Sequence, residues 1–273
     1  MMHQVTAADA GFTGRSQFAR LWGFAWVPVL VVGVGLFEAM RRALIVTDNE
    51  ALAPTLVVLG ALVMPATMVT LIYGRRLRFS VSGGVLAAVA ACGGAVGVLV
   101  AGLVEFGTLQ RLGVGPKLGV AVIEEIAKLI VPVLLLVFGP WRRIGDGLII
   151  GVASGAGFAA LETMGYAFTT SITSHGSLAA VDGDLMVRGL LSPAGHMAWT
   201  GIAAAGLWCG TQQRFSWRGT SIFVGGLSAA IALHTAWDGL GSPAWYAVLG
   251  ALGLGVIAMI VARLRSVRPE EPA

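Results

Sequence analysis

Apolar residues run along this chain in long blocks separated by short polar intervals. Eight such runs stand out, at about 21–37, 53–73, 84–104, 118–138, 147–168, 190–209, 220–240 and 243–262. Each is close to the ~20 residues that cross a hydrocarbon core as a helix. None alternates with period two, so a membrane barrel does not fit. The pattern predicts an all-α, polytopic membrane protein: a bundle of about eight transmembrane helices forming a single integral membrane domain over 1–273. Its core is expected at 118–240, with peripheral helices at 21–104 and 243–262. No soluble domain and no internal repeat is evident.

Composition strengthens this reading. Charged residues make up 12% of the 273 residues against 56% apolar, about half the charge of an ordinary soluble domain, which carries roughly a quarter. Of the 32 charges only Glu124, Glu125, Lys128, Glu162 and Asp238 fall inside the runs. The net charge of +4 would suggest nucleic acid in a soluble protein. Here the arginines cluster between runs, so membrane topology explains them and no nucleic-acid partner is expected. Cys92 and Cys209 both lie in apolar runs, which argues against a disulfide framework or a thiolate metal site. No basic residue precedes Arg15 and no small-residue cleavage site follows the first run, so that run is expected to be a retained anchor.

With eight spans, 12 of the 18 lysines and arginines fall on the side shared by both termini. The positive-inside rule then puts N and C termini in the cytoplasm of a plasma-membrane protein. Trp22, Trp141, Trp217 and Trp245 fall near run ends, as an interfacial aromatic belt requires. The longest loop, about 169–189 with Asp182 and Asp184, is expected outside.

An ionisable group within the bilayer needs an explanation. Run four reads VAVIEEIAKLIVPV. Lys128 lies four residues after Glu124 and three after Glu125, so it can reach either carboxylate. Pro132 removes the donor for the Lys128 carbonyl, predicting a kink or a free acceptor there. A single ion pair could simply join helices. A second adjacent carboxylate points to chemistry, because two cannot cheaply stay ionised together at low dielectric. In run five, Gly147, Gly151 and Gly155 form a small-residue stripe, suited to close packing inside the bundle or in a dimer. Glu162 continues the stripe and is expected to face the bundle, one turn after Phe158. Run six carries His196, and run seven carries His234 and Asp238 four residues apart. There Asp238 can orient the imidazole or cap the span.

Glu124, Glu162, His196 and His234 each lie six residues from the outer end of their run, roughly 9–10 Å deep at 1.5 Å per residue. Four helices thus place titratable groups at one level, which predicts a shared polar cavity open to the extracytoplasmic side. A proton-coupled transporter also uses such residues, but needs access from both faces. A non-catalytic membrane scaffold is a third reading.

In order, EExxK at Glu124, Glu125 and Lys128, FxxxE at Phe158 and Glu162, a lone His196, and HxxxD at His234 and Asp238 resemble the motif set of the PrsW family of intramembrane proteases. That family is related to the type II CAAX prenyl endopeptidases and bacteriocin-processing proteins. The CAAX branch more often has EExxxR and FxxxH, so Lys128 and Glu162 bring this chain nearer PrsW. The resemblance covers about 118–240 and implies endopeptidase cleavage of a single-pass membrane protein or membrane-anchored peptide. It further implies an outer-side cut, as in the first cleavage of an anti-sigma factor in regulated proteolysis. The expected catalytic set is Glu124, Glu125, Glu162, His196, His234 and Asp238, supported by Lys128 and Phe158. In one version Glu124 or Glu125 is the general base on a water shared with His196, His234 serves the oxyanion or leaving amine, and no metal is needed. In the other, zinc is the cofactor, held by His196, His234 and Glu162 or Glu124 with one position open. The absence of HExxH favours the first.

Overall fold

The computed structural model describes residues 23–75, 77, 79–112 and 116–266. The start of the first run, with Arg15, Arg20 and Trp22, lies outside these residues, as do Arg76, Arg78 and Arg268. The regular structure among the described residues is all helical, with no strand. Ten α-helices follow in order: α1 (Trp26–Thr47), α2 (Ala53–Tyr73), α3 (Gly83–Leu112), α4 (Pro116–Lys128), α5 (Ile130–Phe138), α6 (Ile144–Thr173), α7 (Leu178–Asp184), α8 (Ala198–Gln212), α9 (Trp217–Leu240) and α10 (Pro243–Ser266).

Five helical segments among the described residues are long and apolar enough to cross a membrane: Glu50–Tyr73, Gly83–Gly107, Ile144–Thr173, Trp217–Leu240 and Pro243–Ser266. The other three apolar runs take different forms. Helix α1 continues ten residues beyond the expected end and carries Glu38, Arg41 and Arg42. Those charges satisfy one another within the helix, Arg41 Nε at 2.7 Å and Arg42 Nε at 2.6 Å from the Glu38 carboxylate. Run four divides at Leu129 into α4 and α5. Run six divides between a turn of π-helix at Pro193–Met197 and the 15-residue α8.

Helix α6 is the axis of the bundle, with 78% of its apolar window buried against no more than 33% in the other four segments. It packs on α2, α3 and α8. The glycine stripe makes the α8 contact possible: a Cβ on Gly147 would strike the Trp208 ring, and one on Gly155 would strike the His196 carbonyl. The stripe therefore serves packing within the bundle. Leu148, Ile149, Ile150 and Val152 of α6 join Trp199, Ala203 and Trp208 in the main apolar core. The Trp208 indole N–H donates to the Trp141 carbonyl at 3.0 Å, closing the inter-helix turn.

The expected loop at 169–189 is instead mostly helical. Helix α6 runs on to Thr173, Gly176 makes the turn at φ 80°, and Ser177 caps α7 by accepting from Ala180 N–H. Val181 and the following π-turn at Leu185–Gly189 give the segment an apolar face, packed on Phe37, Leu56 and Ala167. Asp182 and Asp184 disguise this face in the sequence. Asp184 accepts from the Thr170 hydroxyl, tying the segment back to α6.

At the other end of α6, Asp146 is fully buried. It accepts from Ser80 N–H at 2.7 Å and Ser80 Oγ–H at 2.5 Å, fastening the α2–α3 connection. Asp146 also accepts from Arg143 N–H at 3.3 Å at the start of α6, so this buried carboxylate is a structural clamp between the loop and the helix end.

Candidate active site

The polar residues of four successive segments meet beside α6. Glu124, Glu125 and Lys128 lie in the last turns of α4, Glu162 on α6, His196 in the Pro193–Met197 turn, and His234 with Asp238 on α9. Lys128 is completely buried and is the hub. Its ammonium donates to Glu124 Oε2 at 3.0 Å, Glu125 Oε1 at 2.8 Å and His196 Nδ1 at 2.8 Å. The Phe158 ring lies 4.1 Å below it, the geometry of a cation–π contact. This is the physical use of the phenylalanine one turn before Glu162.

The hydrogen bonds set the tautomers. An ammonium has no lone pair, so His196 accepts at Nδ1 and carries its proton on Nε2. That N–H donates to Glu162 Oε2 at 2.8 Å. His234 donates from Nδ1 to Glu125 Oε1 at 2.9 Å. Its other nitrogen, Nε2, looks toward Glu124 Oε2 at 3.7 Å and Asp238 Oδ2 at 3.5 Å, beyond good hydrogen-bond range. The residue that orients His234 is therefore Glu125, whereas Asp238 stands beside the free nitrogen. Trp199 stacks on the His234 ring, with centroids 4.8 Å apart, and meets His196 edge-on at 5.2 Å.

The two adjacent glutamates have different surroundings. A cavity of about 160 Å³ is lined by Glu124, Glu162, Arg188, His196, Trp199 and Asp238 among others. Glu125, Lys128 and His234 stand behind that lining. Glu125 is fully buried, with Oε2 unpartnered.

Arg188 belongs to the site although its place in the sequence, among loop charges, does not suggest it. The Leu185–Gly189 turn brings its guanidinium to Glu162 Oε1 at 2.9 Å and over the Tyr166 ring at 3.7 Å. Its only sequence signal is a lone arginine on the expected outer side, eight residues before His196. Trp199 gives a clearer one, three residues after His196 on a helical spacing.

The donor set suits a metal ion. Glu124, His196 and His234 each offer one ligand atom, all within 4.8 Å of one another. With neutral imidazoles, four carboxylates (Glu124, Glu125, Glu162, Asp238) face two permanent cations (Lys128, Arg188). A divalent cation or two protons would balance that excess. Two imidazoles and a carboxylate with one side open form the ligand class of catalytic zinc sites. Of the two carboxylates considered for this role, Glu124 groups with both histidines. Glu162 holds Nε2 of His196, so Nδ1 would be the ligating atom, and a metal there would have to displace the hydrogen bond from the Lys128 ammonium.

The family model of PrsW family intramembrane metalloproteases matches residues 53–264. The chain belongs to this family. It is an intramembrane protease, integral to a membrane, and the transporter and scaffold readings give way to it. The match extends well beyond the 118–240 stretch carrying the motifs, taking in α2, α3 and nearly all of α10. No curated protein and no solved structure matches the chain.

Proposed function

We propose that the cluster around Lys128 is the catalytic centre, and that it hydrolyses a peptide bond in a single-pass membrane protein or membrane-anchored peptide. The observation that carries this is Glu124: it alone of the adjacent pair lines the cavity, and it groups with both imidazoles. Glu124 is the general base that takes a proton from the attacking water. Lys128 bridges Glu124 and Glu125, donating to both carboxylates. Glu125 accepts from His234 Nδ1–H, so His234 turns Nε2 toward Glu124 and Asp238. His196 is fixed between Lys128 and Glu162, and Arg188 in turn fixes Glu162. Asp238, partly exposed at the cavity wall, gives a proton to the leaving amine as the C–N bond breaks and is re-protonated by the proton that Glu124 took from the water. In the metal-dependent version Glu124 would instead be a ligand, holding a zinc-type ion with His196 and His234, and that ion would supply a Lewis acid and lower the pKa of its water.

The same reading gives the chain about eight spans, with both termini in the cytoplasm of the plasma membrane and a catalytic core at 118–240. The cavity then opens to the extracytoplasmic side, where an outer-side cut of an anti-sigma factor is the natural reaction. The excess of basic residues on the terminal side supports this orientation.

Comparing single-pass membrane proteins by terminal-peptide mass spectrometry tests the proposal, in cells carrying wild type or Glu124→Gln. New termini near the outer boundary, present only with wild type, are expected. Identical profiles with a stably inserted variant would remove Glu124 from the chemistry.

A further inference from the structure

A second cavity, of about 520 Å³, lies away from the catalytic cluster, between α1, α2 and α10. Its walls are apolar: Leu30 of α1, Met68 and Leu71 of α2, and Leu254, Ile257 and Val261 of α10. Its lining runs from Met64 on α2 to Arg75, two residues past the end of that helix, and on α10 from Leu254 to Arg265. The α10 wall rises through 12 residues of continuous helix, about 16 Å at 1.5 Å per residue. That matches one leaflet, roughly half of a ~30 Å hydrocarbon core. The mouth is of opposite character. Arg75, just after α2, and Arg265, near the end of α10, line it, as does Trp26, the first residue of α1. Both arginines are exposed, and neither forms an ion pair among the described residues.

We propose that this groove binds one acyl chain of an anionic phospholipid, its phosphate held between Arg75 and Arg265. The length of the apolar wall suits a chain inserted from one interface. Two unpaired guanidiniums on one apolar groove suit an anionic headgroup, and basic pockets between transmembrane helices bind such headgroups. Its deep end is Pro193, in the turn that carries His196. A bound chain therefore touches the segment that presents a residue of the catalytic cluster. The inference needs only the membrane location and is independent of the catalytic roles assigned above.

Lipid exchange on the purified full chain tests it. The protein is placed in nanodiscs of phosphatidylcholine and phosphatidylglycerol in equal parts, and retained lipid is counted by native mass spectrometry. Wild type is expected to favour phosphatidylglycerol by roughly tenfold to thirtyfold, the preference two arginines near the surface would give. R75Q/R265Q should lose that preference with helix content unchanged. Ala258→Trp, which fills the groove and leaves both arginines, should lose retention of both lipids. A photo-crosslinker at position 258 should acquire an adduct of lipid mass. Absence of headgroup preference in wild type, or its survival in both variants, would overturn the proposal. So would a crosslink at 258 to a protein segment, which would make the groove a helix seat.

Discussion

The Ser154 hydroxyl donates to the Lys128 carbonyl at 2.7 Å, at the point where α4 ends and α5 begins. Pro132 has no N–H to give that carbonyl, so the helix breaks at Leu129 and a side chain from α6 completes it. The hydrogen bond fixes the backbone of the residue whose ammonium organises the catalytic cluster.

Ser154→Ala leaves the buried Lys128 carbonyl without a donor, at a cost of about 1–3 kcal/mol. Thermal unfolding of the detergent-solubilised variant should show a Tm several degrees below wild type. Activity should fall more than stability alone accounts for, because Lys128 loses its registration against α6. An unchanged Tm would mean that water replaces the hydroxyl.

Lys128→Met should be far more damaging. It removes the shared cation from Glu124, Glu125 and His196, leaving buried carboxylates uncompensated, a loss of about 3–5 kcal/mol. Adding Glu125→Gln removes one of the stranded charges and should recover part of the stability. A double-mutant cycle read by thermal unfolding measures that coupling. Strict additivity would show that the two side chains do not interact as their 2.8 Å separation implies.

These relationships divide into those legible in the sequence and those not. The bundle, its small-residue stripe and the meeting of Glu124, Glu162, His196 and His234 follow from apolar periodicity and from counting residues along successive runs. The broken acceptor at Lys128 could be read from Pro132, but not its partner, since Ser154 is one of many small residues in an apolar run. Arg188 was hidden for a different reason. Its segment reads as a polar loop because Asp182 and Asp184 interrupt the apolar spacing, whereas Val181 and Leu185 in fact fold it onto α1, α2 and α6. The pairing of His234 with Glu125 and not Asp238 was equally hidden, because i,i+4 spacing states only which groups share a face.

Metal content provides a separate test. Protein purified without chelator is expected to carry about one zinc per chain by elemental analysis. His234→Ala and Glu124→Gln should each lower that ratio sharply. Glu162→Gln should lower affinity more modestly, on the order of 10–100-fold, because it orients His196 without belonging to the donor group. Full-strength cleavage by zinc-free protein would support the metal-independent version, with Glu124 acting alone on water.

Arg188 tests whether the site extends beyond its motif residues. Its guanidinium pairs with Glu162 Oε1, and Glu162 Oε2 receives the Nε2 proton of His196, so the arginine acts on the cluster through two hydrogen bonds. Arg188→Gln should free Glu162 to rotate and lower kcat by about 10–100-fold, as loss of such outer partners typically does. KM should change little if Arg188 positions Glu162 and does not grip the substrate. Arg188→Lys should recover part of kcat, since an ammonium can still reach one carboxylate oxygen, though without the planar stacking on Tyr166. A general folding defect would lower the amount of active enzyme in both variants alike, with no recovery by lysine. A rise in KM at unchanged kcat would instead assign Arg188 to substrate binding at the cavity wall.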